Sequence, residues 1–187
     1  MGTTEVWLVR HGETEWSRDA RHTSTTDLPL TDVGEEMARA LPGKLTGVDF
    51  DLVLTSPRQR ARRTAELAGF ADAEVDDDLV EWAYGDYEGV TTATVRETRP
   101  GWTVWADGSP NGETVQQAGE RTDRVIARAL AADGDVIVFA HGHILRVLAA
   151  RWIGLPPERG ASLALDTAAV SELGFERETR VITRWNG

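Results

Sequence analysis

Val136-Ile137-Val138-Phe139-Ala140-His141-Gly142-His143 is an apolar run that stops on two histidines around a glycine. An unbroken apolar run rich in β-branched residues fits a strand buried on both faces, as in the middle of a parallel sheet. The segments beside it follow helical spacing. Residues 113–132 predict a long helix, with Val115, Ala118, Val125, Ile126, Ala129 and Leu130 as its apolar positions. Residues 144–153 predict another, stopped near Gly154 and Pro156. Beyond it, antiparallel strands are expected around residues 163–165, 168–173 and 180–185.

Residues 4–10 predict a second buried strand with a similar ending, Arg10-His11-Gly12. Thr14 to Pro29 is polar and irregular, long for a plain connection, and suits a binding loop. Thr31 is placed to cap a helix through Leu41, which Pro42-Gly43 ends. Residues 52–54 predict a core strand. Ser56-Pro57 is expected to open a helix through Leu67, with proline at its first position. Residues 79–89 predict a loop or short strand, and 91–98 a short helix. Asn111-Gly112 marks a turn. This order of elements predicts an α/β fold, a three-layer αβα sandwich on a mostly parallel mixed sheet.

The 187 residues suit a single domain spanning 1–187, without repeat or linker. No cysteine is present, which removes thiol nucleophiles, thiolate metal sites and disulfides. The first residues hold no basic stretch with an apolar run of signal length, and no membrane-spanning run occurs. The expected location is the cytoplasm, with no membrane partner. A formal charge of -11 opposes nucleic-acid binding. An acidic chain that binds a small anion needs a local positive pocket. Arginine suits it through its rigid donor fork, and Arg10, Arg60 and Arg146 lie in site-like contexts.

Open α/β sheets bind ligands at the carboxyl ends of their strands. If the two strands are parallel neighbours, His11 and His141 converge. A lone polar residue after a strand is often only a cap, but two histidines in matching contexts carry more weight. Arg60 follows a strand end near a helix start, whereas Arg58, Arg62 and Arg63 read as a solvated face. Glu81 lies among apolar and aromatic neighbours, a setting suited to a general acid and also found for ordinary loop glutamates.

Arg10-His11-Gly12-Glu13-Thr14-Glu15-Trp16 resembles the signature of the histidine phosphatase superfamily, the phosphoglycerate mutase-like proteins. Its second arginine matches Arg60 in Ser56-Pro57-x-x-Arg60-Ala61, its acid/base glutamate matches Glu81, and its second histidine matches His141. The four elements occur in family order across nearly the whole chain. Arg21-His22-Thr23-x-x-Thr26-Asp27-Leu28-Pro29 further resembles the branch that includes a fungal sedoheptulose-1,7-bisphosphatase and a mycobacterial acid phosphatase. Ala20 and Ser24 depart from it, standing where that branch usually has glycine.

The resemblance implies a phosphatase acting without cofactor or metal on a small phosphorylated metabolite, a sugar phosphate or bisphosphate. His11 would be the nucleophile and form a phosphohistidine. Arg10, Arg60 and His141 would hold the phosphoryl group, and Glu81 would be acid and then base. Ser17, Thr23 and Ser24 would face the phosphate or its carbon skeleton. Tyr84 would border the pocket, joined by His143 and Arg146, and Trp82 is a further candidate for its lining. A phosphoglycerate mutase is the alternative, but the stretch between Gly89 and Asn111 is short and lacks adjacent arginines. Metal-dependent hydrolysis through His11, His141 and His143 and a binding module without catalysis are weaker readings. Homo-oligomer formation stays open.

Overall fold

The computed structural model describes residues 4–187. Met1–Thr3, part of the amino-terminal stretch considered above, lie outside the described residues. The strands are β1 (Val6–Arg10), β2 (Phe50–Thr55), β3 (Glu74–Val75), β4 (Asp135–Ala140), β5 (Val170–Glu176) and β6 (Thr179–Arg184). The α-helices run in chain order from α1 (Glu15–Arg18), α2 (Asp32–Ala40) and α3 (Gln59–Leu67) through α4 (Thr92–Thr98) and α5 (Val104–Asp107) to α6 (Val115–Leu130) and α7 (Gly142–Trp152). The strands form a single sheet in the order β3-β2-β4-β1-β5-β6. The first four in chain order run parallel, and β5 and β6 are antiparallel additions.

Alternation along the strands builds two cores. Val6 and Leu8 of β1 and Val136, Val138 and Ala140 of β4 face α6 (Val115–Leu130) and α7 (Gly142–Trp152). Trp7, Val9, Ile137 and Phe139 face α2 (Asp32–Ala40) and α3 (Gln59–Leu67). The molecule is therefore a three-layer αβα sandwich on a mostly parallel mixed sheet, as expected. Leu8, Val9 and residues 136–140 are fully buried. Each such aliphatic side chain contributes roughly 1.5–3 kcal/mol through removal from water.

Three expected boundaries shift. The helix forecast from Ser56-Pro57 begins at Gln59, with Arg58 as its cap residue and Pro57 outside. Asp27 supplies the missing acceptor: its carboxylate takes the Gln59 N–H at 2.9 Å. Residues 163–165 are not a strand, and the Leu165 carbonyl is bonded by Arg10 rather than by a neighbouring strand. Within the stretch read as irregular, Thr14 and Ser17 close a capping box around the short helix α1 (Glu15–Arg18).

The placement that matters for function is β1 beside β4. Arg10 lies opposite Ala140, and the His11 N–H donates to the Ala140 carbonyl at 3.0 Å. Both histidine-bearing ends thus emerge together at the carboxyl edge of the sheet. The turn after β1 packs backbone to backbone on α2. A Cβ on Gly12 would lie 2.3 Å from the Gly34 carbonyl oxygen, so only glycine fits there.

Candidate active site

His11 is nearly buried, and its Nδ1 lies 2.7 Å from the Gly12 carbonyl oxygen. A carbonyl can only accept, so Nδ1 carries the proton and Nε2 keeps the lone pair. Burial pushes the imidazole pKa well below its ordinary value, and the charges of Arg60 and Arg10 push it further. A neutral ring with one fixed tautomer is what nucleophilic attack requires.

Arg10 is anchored by a single bond, Nη1 to the Leu165 carbonyl at 2.6 Å. Its Nε is buried and finds no partner among the described residues. Gly142 gives the guanidinium room, since a Cβ there would sit 3.3 Å from Arg10 Cζ. A buried N–H without a partner is costly, and an anion at this point would satisfy it.

The rings of His11 and His141 pack edge to face, with centroids 5.1 Å apart. Arg60 is completely buried behind them. Its Nε donates to His141 Nδ1 at 3.2 Å, and its terminal nitrogens donate to the carbonyls of Thr26, Thr23 and Ser24. Because Arg60 can only donate, the proton of the neutral His141 ring lies on Nε2, 2.7 Å from Ser56 Oγ. Burial lowers the His141 pKa, followed by the Arg60 charge. The two residues adjoin His11 but do not form the wall of the open cavity. Their hydrogen-bonding groups are engaged with the protein.

Glu81 sits on an irregular segment that meets the first turn of α7. Oε1 accepts the N–H groups of Trp82 and Ile144, both at 2.9 Å, and Oε2 accepts that of His143 at 3.0 Å. A carboxylate at a helix N-terminus satisfies donors that the helix itself leaves open. The Tyr84 hydroxyl is 2.7 Å from His143 Nδ1. Burial moves both partners toward neutrality, raising the Tyr84 pKa and lowering that of His143. Both groups are therefore neutral, and the tautomer of His143 decides which of the two donates.

A cavity of about 280 Å³ opens over these groups. Arg10, His11, Glu81, Tyr84, His143 and Arg146 line it, with Ser17 and Thr23 from the polar loop. Arg146 is steadied by the carbonyls of Gly160 and Ala161 and stacks 4.7 Å from the Trp105 ring centre. Ser24 and Trp82 are not on the wall. The Ser24 hydroxyl turns inward to the Glu81 carbonyl, and the Trp82 indole N–H bonds the Glu113 carbonyl. The expected contact between Ser24 and substrate is thus replaced by support of the Glu81 backbone. Ala20, Arg21, His22, Thr92 and Leu165 join the lining without having been singled out as site residues. Arg21 and His22 carry a signal in the sequence as part of the Arg21-His22-Thr23 stretch, and Ala20 as the departure beside it, whereas Thr92 and Leu165 carry none. Among the described residues, no three histidine or acidic side chains cluster as a metal site.

Residues 6–187 match the profile of the Histidine phosphatase superfamily (branch 1). The chain is 44% identical to an acid phosphatase of Mycobacterium tuberculosis, covering 92% of this chain and 87% of the relative. It is 42% identical to sedoheptulose 1,7-bisphosphatase of Saccharomyces cerevisiae, covering 82% of this chain and 69% of that protein. The solved structure of an open reading frame of Mycobacterium tuberculosis superposes with a TM-score of 0.94 at 41% identity, covering 98% of this chain and 97% of that one. Sequence, fold and relatives agree, and the chain belongs to the histidine phosphatase superfamily and is a phosphoric monoester hydrolase.

Proposed function

We propose that the chain hydrolyses small phosphate monoesters, sugar phosphates or bisphosphates foremost, through a phosphohistidine on His11. The observation that carries this reading is the fixed tautomer of His11 beside a guanidinium with an unpartnered N–H. His11 Nε2 would form a bond to phosphorus as the ester P–O bond breaks. Glu81 in its acid form would give its proton to the departing alkoxide. As a carboxylate it would then take a proton from water, which attacks phosphorus and releases His11.

Arg10 would bind a phosphoryl oxygen with its free donors. Arg60 is bonded to neutral carbonyls, and an anionic oxygen competes well for such donors because it adds charge–charge attraction to the hydrogen bond. His141 would steady the same group. The substrate's carbon skeleton would meet Ser17, Thr23, Tyr84, His143 and Arg146. No cofactor is invoked. The proposed setting is the cytoplasm, and the proposed partner is a small metabolite rather than nucleic acid or membrane. Among the described residues no helix is long and apolar enough to cross a membrane.

The mutase alternative has less support. Arg96 bonds the Trp102 carbonyl, and Arg99 lies against Tyr87 and Asp107, so neither serves as an anion clamp at the cavity. The test is a phosphate-release screen over three-carbon phosphates, sugar phosphates and sugar bisphosphates, without added metal, comparing kcat/KM. Phosphate release led by a sugar phosphate supports the reading. Phosphoryl transfer between carbons of a phosphoglycerate without release would overturn it.

A further inference from the structure

Glu81 lies in a segment without a sheet or helix ladder of its own. Its backbone polar groups must find partners elsewhere, and those partners decide where the carboxylate points. Outside Glu81's own bonds, they converge on two residues that do not line the cavity, Arg121 and Glu113.

Arg121 projects from α6. Its Nη1 donates to the Val80 carbonyl at 3.1 Å and also to the Asp78 carbonyl. Its Nε and Nη2 grip the two Glu113 oxygens at 2.6 and 2.9 Å, a two-pronged pairing. Glu113 holds the other flank of Glu81. Its Oε2 accepts the Ala83 N–H at 3.3 Å, its N–H donates to the Ala83 carbonyl at 2.8 Å, and its carbonyl accepts the Trp82 indole N–H at 2.9 Å. The chain is thus fixed immediately before and just after the acid/base residue. The pair is largely sheltered, with side chains 13% and 12% exposed, so solvent and salt screen it little. Arg124, one turn along the same helix, is a contrast: it is 59% exposed and reaches the Asp78 carboxylate and, at 3.4 Å, the Glu120 carbonyl of its own helix.

We infer that Arg121 and Glu113 are positioning residues that set the Glu81 carboxyl for proton transfer without touching substrate. This rests on the acid/base reading of Glu81. Loss of the clamp should impair chemistry more than binding, because the phosphoryl-holding groups lie elsewhere. A misplacement of about 1 Å can cost roughly 100-fold in rate.

The experiment compares Arg121→Lys, Arg121→Met and Glu113→Gln with Arg124→Ala, each in the wild-type and Glu81→Gln backgrounds. Single-turnover and steady-state rates are read on an alkyl phosphate and on p-nitrophenyl phosphate, with melting temperatures alongside. Arg121→Lys keeps the charge and carries the test if Arg121→Met does not fold. The expected result in the wild-type background is a loss of about 10- to 100-fold in the single-turnover rate of phosphoenzyme formation on the alkyl ester, with substrate affinity nearly unchanged and that step spared for the aryl ester. Steady-state kcat should fall on both esters, because they share the Glu81-assisted hydrolysis of the phosphohistidine. In the Glu81→Gln background the same changes should cost almost nothing further, and Arg124→Ala should be silent in both. Equal losses in phosphoenzyme formation on both esters, or undiminished losses in the Glu81→Gln background, would reduce the pair to general structural support. Undiminished rates in all clamp variants would also overturn the inference. If Glu81→Gln alone leaves the alkyl ester unaffected, the acid/base reading itself falls, and the positioning role falls with it.

Discussion

His11→Ala tests the nucleophile at the smallest scale. Its tautomer is fixed by the Gly12 carbonyl and it stands at the end of β1 next to Arg10, so turnover should drop by several powers of ten while circular dichroism stays unchanged. Retention of more than about a tenth of kcat/KM would reject the assignment. Arg60→Ala should cost roughly 2–5 kcal/mol in transition-state binding, and Arg58→Ala much less, measured as the ratio of kcat/KM values. Equal losses would mean that Arg60 only braces the Thr23–Thr26 carbonyls. Ala20 offers a stability test. It stands at φ 55°, a left-handed conformation that an L side chain resists, and this explains why glycine is usual there in the branch it resembles. Ala20→Gly should leave the melting temperature unchanged or raise it, by up to about 1 kcal/mol in stability. A clear drop would contradict the strain argument. At this scale, residue identity was legible wherever a motif marked it, as for His11 and Glu81. Side-chain direction was not. Nothing in the sequence turns the Ser24 hydroxyl toward the Glu81 carbonyl, or engages the N–H groups of Arg60 with a loop.

Between elements, the site depends on how the Glu81 segment meets the start of α7. All three acceptor bonds of its carboxylate come from backbone N–H groups. Glu81→Gln keeps the size but presents an amide N–H₂ to one of those donors, so one bond is lost along with the transferable proton. The first half-reaction should slow strongly for an alkyl ester and less for p-nitrophenyl phosphate, whose leaving group needs little protonation. The second half-reaction loses its base, and an acid-labile phosphohistidine should accumulate on His11. Rapid quench resolves both steps. Equal slowing for the two esters with no trapped phosphoenzyme would make Glu81 a positioning group. The apolar periods of β4 and α7 made these elements legible. The start of α3 was misread because its first N–H is met by Asp27, which is distant in sequence, so Pro57 is not needed at the first helical turn. Leu163–Leu165 was misread for a related reason. Its short apolar run fits a strand, but the Leu165 carbonyl bonds the Arg10 side chain.

Across the whole molecule, the parallel character followed from local patterns, but the two-residue strand β3 did not, and neither did the sheet order. It follows from β4 inserting between β2 and β1, a pairing of segments far apart in the chain. That insertion brings His11 and His141 together, and all four histidines of the chain end up in or around one site. The consequence is a pH-dependent stability. Burial holds the pKa values of His11, His141 and His143 well below 6.5 and lowers that of His22. In the unfolded chain these groups should titrate near 6.5. Above that pH both states hold neutral rings, and the histidines contribute no pH dependence. As pH falls below 6.5 the unfolded chain takes up protons that the native site refuses, so unfolding is favoured. The loss continues downward until the native values are reached. Each strongly shifted histidine contributes up to about 1.4 kcal/mol per pH unit, and three together up to about 4. Against a typical stability of roughly 5–15 kcal/mol, that slope is large. Urea unfolding between about pH 8 and 5.2, a range chosen to keep most carboxylates ionised, should show a plateau and then a steep decline beginning near 6.5. His143→Asn should flatten the decline by about one proton's worth, since it removes one refused site. Inorganic phosphate should offset part of the decline by binding only the native site. A stability that stays flat from 6.5 to 5.2 would show that these imidazoles take up protons in the folded protein, which would also leave His11 without the neutral nitrogen that attack on phosphorus requires.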